Sequence, residues 1–522
     1  MKIAMPGLPA GSVSWLPGPA GWKAAAAGMR RTIRWLAGGA CIVLPALAIP
    51  ILPLSLALAL VVSVAGAAIL LVAARLPPID RLHGRVLLAA FALIYALYFA
   101  WPRSVFLPLL YLPIKHPQKL LYYAFVLAWM IMLIRSREMR QRLVRGYAAN
   151  RLLVGVLLWM LAWRTASVAA ASIPLFSSIR LVDEIVTSYL LFPIVLSLVA
   201  GLDDARRVMT ALVSVAVLNV ALAVPEVLLR RNVFEPFVSV QILDPAMAQL
   251  LLSEKLREGG VRAQAAFDHP LLLAEYLALL LPFPLAQTFL AARRRWAHAA
   301  VCLLLGLGIL LARTRTGMLV ALLSAVLMAM LTLLLRRRLS AGVLALGLPV
   351  ALIGAAGFGM LAVQLTLGRN LDEMSSSFAR IRMLHASLPM IWNAPWLGYG
   401  LGLGGRELDF TVGGIRTLDS HLLMAALDSG LPYLLGLLLF IAAIAGASLR
   451  ALTGELPPAR RWFHRAAICA ICGFLAFKLI LGTDLNNSLL FVFAALVAAL
   501  RREDGGWLPR SGARPASGAT GG

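Results

Sequence analysis

Charge is what this sequence has least of. Asp, Glu, Lys and Arg make up 14% of its 522 residues, and apolar residues reach 61%, whereas a soluble globular domain carries about 25% charged residues. That composition excludes a water-soluble enzyme. Acids are scarcer than bases, 23 against 48, for a formal net charge of +25. In a soluble chain such an excess would suggest nucleic acid. Here the basic residues fall in short clusters between apolar runs long enough to cross a hydrocarbon core, so no nucleic-acid partner is expected. Cysteine is nearly absent. Cys41, Cys302, Cys469 and Cys472 all lie inside apolar runs, which argues against a disulfide framework. The Cys469-x-x-Cys472 pair reads as small helix-packing residues rather than a metal or redox site. No metal and no cofactor is expected.

What is abundant is apolar runs. They predict spans near 35–52, 54–74, 86–101, 119–134, 152–171, 184–200 and 208–228, then 270–290, 297–312, 317–335, 341–363, 430–449, 463–481 and 486–500. The expected fold is all-α, a polytopic membrane protein of about 12 to 14 transmembrane helices. Cytoplasmic loops should hold Lys and Arg, and alternate loops here do. The clusters run from Arg30, Arg31 and Arg34 through Arg75, Arg81 and Arg85 to Arg135, Arg137, Arg140, Arg142, Arg145 and Arg151. The same parity continues at Arg206 and Arg207, Arg293 to Arg295, Arg336 to Arg338, Arg450 with Arg460 and Arg461, and Arg501 with Arg502. Both termini are therefore expected in the cytoplasm. The domain reading is a cytoplasmic tail at 1–34, a transmembrane domain at 35–502 and a disordered cytoplasmic tail at 503–522, the last rich in Gly, Pro, Ala and Ser.

On the opposite side two segments are too long for simple connectors, residues 229–269 and 364–429. They contain aromatics, acids and arginines rather than low-complexity filler, so they are expected to carry function. The turn Leu311-Ala312-Arg313-Thr314-Arg315-Thr316-Gly317 places two arginines where the charge rule wants none. Arginine near membrane depth is expensive unless paired, hydrated or snorkelling to headgroups, so Arg313 and Arg315 are functional candidates. Arg262, Arg380 and Arg382 fall on the same predicted face. Converging guanidiniums suit an anionic headgroup, because the planar fork grips phosphate oxygens and stays charged.

The second long loop contains Asn393-Ala394-Pro395-Trp396-Leu397-Gly398-Tyr399-Gly400-Leu401-Gly402-Leu403-Gly404-Gly405. No strand precedes its GxGxxG-like spacing, so the glycines serve close backbone approach rather than a dinucleotide. Asp419 and His421 follow at the predicted start of an apolar helix. Either would serve as a general base if shielded, and Asp419 would serve equally as a helix cap. Asp428 stands in an apolar stretch, either buried and paired or in a re-entrant turn. Glu275 and Lys478 are charges inside helices that are expected to snorkel.

Phe378-Ala379-Arg380-Ile381-Arg382, Pro395-Trp396-Leu397-Gly398-Tyr399-Gly400 and Leu427-Asp428-Ser429-Gly430-Leu431-Pro432, in that order, resemble the core of the O-antigen ligase and polymerase superfamily. Thr314-Arg315-Thr316-Gly317 resembles that family's Ser/Thr-Arg-small motif, and Arg262 with Phe267, His269 and Pro270 its arginine-bearing helix start. The resemblance spans roughly residues 255–500. It implies a GT-C-like, metal-independent glycosyltransferase of the bacterial inner membrane, acting at the periplasmic face. Its donor would be an undecaprenyl-pyrophosphate-linked glycan, its acceptor a glycan or lipid A core, and polysaccharide-assembly proteins would be its partners beside the membrane lipids. By position, Arg315 and Arg262 would hold the diphosphate and stabilise its developing charge. The family's ligases place a His eleven residues before the glycine matching Gly430; here that position is Asp419, with His421 two residues on. This tilts the expectation toward a polymerase of O-antigen or exopolysaccharide repeats, with Asp419 as base and His421 as alternate, over a ligase. A transporter or flippase would show an internal repeat, and none is visible.

Overall fold

The computed structural model describes residues 66, 68–77, 84–102, 105, 107–109, 112–114, 117–237, 256–257, 260–290, 293–336, 371–412, 415–416, 418–454, 456–482 and 484–504. The expected spans at 35–52 and 341–363, most of that at 54–74, and nearly all of both tails lie outside these residues.

Helices dominate. After α1 (Gly84–Ala100) comes a short antiparallel pair, β1 (Leu107–Leu109) with β2 (Leu112–Ile114), then α2 (Pro117–Arg135), α3 (Arg137–Ala149) and α4 (Arg151–Ser167). α5 (Pro174–Glu184) continues through a π-turn at Ile185–Tyr189 into α6 (Leu191–Leu198), followed by α7 (Leu202–Leu229). The strands β3 (Leu256–Arg257) and β4 (Gly260–Val261) precede α8 (Pro270–Leu280), α9 (Pro282–Leu290), α10 (Arg295–Leu311) and α11 (Arg315–Arg336). Finally come α12 (Leu371–Asn393), α13 (Gly404–Leu408), β5 (Thr411–Val412) with β6 (Ile415–Arg416), α14 (His421–Thr453), α15 (Pro458–Lys478) and α16 (Asn487–Asp504).

Among the described residues seven stretches are long and apolar enough to cross a membrane: Gln118–Arg135, Arg151–Ala170, Pro174–Leu198, Leu202–Leu229, Pro270–Leu290, Arg315–Leu333 and His421–Thr453. Gly84–Ala100 and Arg295–Leu311 are shorter apolar helices. The chain is an all-α, multi-pass membrane protein.

Some boundaries differ from the hydropathy reading, and charge is the reason. The span expected at 184–200 begins at Pro174, because Arg180, Asp183 and Glu184 lower the local hydropathy although they belong to the helix. α3 occupies what reads as an arginine-rich loop; it buries only Met139 and Gly146. α12 fills much of the long 364–429 segment, and α14 begins at His421 rather than near 430.

The chain divides into two compact units, Met1–Arg81 with Met130–Arg137, and Leu82–Trp129 with Glu138–Gly522. In the first, Arg135 donates to the Pro77 carbonyl at 3.2 Å. The second holds the core and everything that follows. Two stretches in it are buried at every position, Leu272–Pro284 and Ser488–Leu500, as expected of helices apolar on all sides. α10 instead exposes Leu303, Leu307 and Leu310, a one-sided stripe at helical spacing that suits lipid.

Two arginines of the parity pattern also tie helix ends together. Arg502 donates to the carbonyls of Leu196 and Val199 at 2.9 and 2.7 Å, and Arg501 to Asn150 Oδ1 at 3.3 Å, which satisfies carbonyls orphaned where α6 ends. The candidate site lies at the other end of these helices, where α4 finishes and α5, α14 and α16 start.

Candidate active site

The site is organised by a break in α14. Gly430 sits at φ 77°, ψ 175° inside the helix, and Pro432 follows with no N–H to give. The break frees backbone groups, and the glycine-rich loop takes them up. Tyr399 N–H donates to the Leu427 carbonyl at 2.8 Å, Gly400 N–H to Asp428 O at 3.0 Å, and Leu431 N–H to Pro395 O at 2.7 Å. A Cβ on Gly430 would collide with the Trp396 carbonyl, so the position demands glycine for space as well as for its left-handed φ. Pro395–Gly400 and Leu427–Pro432, two motifs in sequence, are thus the two halves of one interlocked structure. Indole donors secure the same corner: Trp163 Nε1 reaches Trp396 O at 2.7 Å and Trp159 Nε1 reaches Pro432 O at 3.1 Å.

At the break sits a buried charge network. Asp428, 2% exposed, accepts from Gly404 N–H at 2.8 Å. Arg164 on α4, 3% exposed, donates to Ser429 Oγ at 2.8 Å, lies 3.3 Å from Glu184 and 4.0 Å from Asp428, and covers the Tyr433 ring at 3.9 Å. Ser429 passes the network to Ser167 Oγ at 3.0 Å. A guanidinium this deep persists only with such a full set of partners. Asp428 is therefore buried and paired, the first of the two readings open from sequence.

Beside the network opens a cavity of about 280 Å³, at the small end of the range for ligand sites. Its walls include His421, Met424, Asp428 and Tyr433 of α14, Asp484 and Asn487 at the start of α16, and the α5 face. His421, 3% exposed, places Nδ1 3.3 Å from Asp484 Oδ1 and Nε2 3.3 Å from the Asn487 amide, which itself donates to Asp484 at 3.0 Å. Asp484 opens into the cavity but is walled by protein mass. That desolvation opposes its charge, yet the His421 hydrogen bond and charge, with Lys478 and Arg164 behind, hold its carboxyl down at about 2. The turn fits so tightly that a Cβ on Gly482 would strike the Leu418 carbonyl.

Asp419 faces elsewhere. Its Oδ2 lies 3.9 Å from Arg380 Nε, both side chains are some 40% exposed, and its N–H donates to Met383 Sδ at 3.2 Å. The helix cap is Ser420, whose Oγ accepts from Leu423 N–H at 3.4 Å.

The other sequence candidates cluster near α8 and α11. Ala263 N–H donates to Leu311 O at 3.0 Å and Arg262 Nε to Ala312 O at 3.3 Å. Arg313, at φ 46°, lays its guanidinium against Gly260, where any Cβ would collide with it. Arg315 opens α11, and Gly317 two residues on lets that start press against Ala274 of α8. Glu226 fastens the loop from below, its Oε2 accepting from Gln264 and Ala265 N–H at 3.1 and 2.7 Å.

Between this arginine group and His421 stands a buried ion pair. Lys478 Nζ lies 2.9 Å from Glu275 Oε1, both 0% exposed, and Asn486 donates to Glu275 Oε2 at 2.8 Å and to Leu272 O at 3.0 Å. Neither charge snorkels: each is enclosed where α8, α15 and the start of α16 meet. Asn486 thus touches α8 while its neighbour Asn487 touches His421, so one turn joins the start of α8 to the histidine.

Sequence reasoning missed Arg164, Glu184, Asp183 and Asp484. Their signal was charge inside or beside apolar runs, the cue that singled out Arg315.

Compared with known families, residues 300–441 match the model described as O-antigen ligase. No curated protein matches the chain. The matched stretch contains Arg315, the glycine-rich loop, the α14 break and His421, while Arg262 and Asp484 fall outside it. Residues 300–441 of this membrane protein thus match the family that its motifs resemble, and that family indicates glycan transfer of the O-antigen ligase type.

Proposed function

We propose that the protein transfers a glycan from undecaprenyl pyrophosphate to an acceptor sugar hydroxyl at the periplasmic face of the bacterial inner membrane, polymerising lipid-linked repeat units. The observation that carries this reading is the buried His421, set against Asp484 and open to a cavity.

With the Nδ1 proton directed to Asp484, Nε2 is the basic nitrogen; it faces the Asn487 amide at 3.3 Å and takes the proton of the acceptor hydroxyl when that hydroxyl displaces the amide. The freed oxygen forms its bond to the anomeric carbon as the bond from that carbon to the phosphate oxygen breaks. The electron pair leaves on the diphosphate, and undecaprenyl pyrophosphate is released. Arg262, Arg313 and Arg315 hold that diphosphate, because permanently charged forks stabilise the negative charge gathering on the leaving oxygen. Arg380 serves Asp419 in this reading, and Arg382 is an exposed residue of α12 with no part in it.

A ligase moving the glycan to lipid A core is the second reading, favoured by the description of the matched family. Purified protein given a defined lipid-linked repeat separates the possibilities. Release of undecaprenyl pyrophosphate with lengthening product supports the polymerase, and release only when a lipid A core acceptor is added supports the ligase. Absence of release under both conditions defeats both, leaving a transporter. Arg315→Ala is expected to abolish release while the protein still inserts and elutes as wild type; full release from that variant would remove the arginine group from the mechanism.

A further inference from the structure

The α5 segment presents one polar face to the cavity: Arg180, Asp183, Glu184, Thr187 and Ser188. The spacing is helical, and the π-turn closed by Leu190 N–H on Ile185 O at 2.9 Å carries the stripe past Glu184. Such turns concentrate at functional sites. A polar face of this length in a membrane span faces protein or a water-filled cavity.

Most charges on the cavity wall are answered from within the fold. Lys119 sits 2.8 Å from Asp183, Arg164 is 3.3 Å from Glu184, and His421 is 3.3 Å from Asp484. Arg180 differs. It is exposed, its guanidinium lies 5.3 Å from the Phe176 ring, and it runs beside Gly402, where a Cβ would sit 3.5 Å from its Nε. Among the described residues no carboxylate comes within ion-pair distance of it. The cavity therefore holds four carboxylates, Asp183, Glu184, Asp428 and Asp484, and at its edge a cation that has no counter-charge among the described residues.

That pattern is wrong for a diphosphate, which the carboxylates would repel, and right for a sugar. Carboxylates and the Thr187 and Ser188 hydroxyls accept from sugar hydroxyls, while the edge guanidinium pairs with one acidic substituent. Resting on the reading of the site as a glycan transferase, we propose that the α5 face is the acceptor subsite and that Arg180 selects acceptors bearing a carboxylate or phosphate.

The test pairs acceptors that differ only in this group: one oligosaccharide ending in glucose, in glucuronic acid, or in a glucose phosphate. Wild type is expected to favour the acidic acceptors at least tenfold in kcat/KM, with the two acidic arms showing which anion is read. Arg180→Gln should erase the preference through acceptor KM with donor KM unchanged, and Arg180→Lys should keep part of it. Equal use of all three acceptors by wild type, or an undiminished preference in Arg180→Gln, overturns the inference. So does a rise in donor KM that is the same for every acceptor, which would assign Arg180 to the donor or to a phospholipid. Binding of the soluble oligosaccharides, followed by tryptophan fluorescence, separates this from failure of the underlying reading. An acid preference in binding with no turnover of any acceptor keeps the subsite and sinks the transferase.

Discussion

Asp419 and His421 stand two residues apart at the start of α14, and the regions they serve differ in kind. Ser420 between them is an extended cap, φ −129° and ψ 121°. Asp419, before it, meets Arg380 of α12 at 3.9 Å with both side chains some 40% exposed, the kind of ion pair that solvent screens to little net value. His421, after it, is buried against the start of α16 and shares Asp484 and Asn487 with a cavity. Position in a motif does not distinguish the two residues. Enclosure does, because proton transfer gains from a partner that fixes the ring and from walls that exclude water.

The largest expected effect breaks or confirms that contrast directly. In the release assay His421→Gln should lose about 10²- to 10⁴-fold in rate, the span of a general base, while Asp419→Asn loses less than about tenfold. A dead Asp419→Asn beside an active His421→Gln would reverse the assignment and restore the family-spaced position as base.

Next in size is the same contrast among arginines. Removing Arg164 strands Glu184 and Asp428 in the interior, at a cost of about 3–5 kcal/mol; removing Arg380 from its exposed pair should cost about 1 kcal/mol or less. Thermal unfolding in detergent of Arg164→Met and Arg380→Gln reads the difference. Adding Glu184→Gln to Arg164→Met should recover part of the loss. Equal stability of the two single variants would mean that water reaches the Arg164 network.

Gly430, in a family-like motif, and Gly405, at the end of the glycine-rich loop, make a smaller comparison. Gly430→Ala forces Cβ into the Trp396 carbonyl at a left-handed φ, so about 1–3 kcal/mol of strain is expected. Gly405→Ala meets only ordinary contact, Leu418 Cβ at 3.7 Å, and should lie within about 0.5 kcal/mol of wild type. Comparable melting of both would show that the break in α14 is not locked by the loop.

The apolar spans among the described residues were legible because hydropathy acts on long stretches and survives a few exceptions. The exceptions are what the site is made of. Arg164 and Glu184 sit on different helices, so no window reveals that they neutralise each other; Asp484 and His421 are joined only by how α16 starts beside α14. Glu275 and Lys478 looked free to snorkel because a linear reading has no means to show the enclosure that denies them the surface. The polar face at 180–188 stands at helical spacing, but its charges lower the local hydropathy, so the apolar run shows only from 184. The glycines of the second long loop read as close-approach residues, and what they approach, the broken α14 backbone, is visible only in three dimensions.

The smallest expected effect tests whether the His421 side holds together in solution. Asp484 has a folded carboxyl value of about 2, below the roughly 3.9 of an unfolded Asp. A depressed value means that the stabilisation from its charge is complete above about pH 4 and drains away as pH falls toward 2. Asp484→Asn has no such contribution to lose. The melting temperature of wild type should therefore exceed that of the variant at pH 6, and the gap should shrink steadily as the pH is lowered through 4 toward 3. Asp419→Asn, run alongside, is the control for acid effects that any carboxylate at this end of the helices would share. A wild-type advantage over Asp484→Asn that stays constant across the range would mean that the carboxylate titrates as a free group, and His421 would then lack the fixed partner that sets it apart from Asp419.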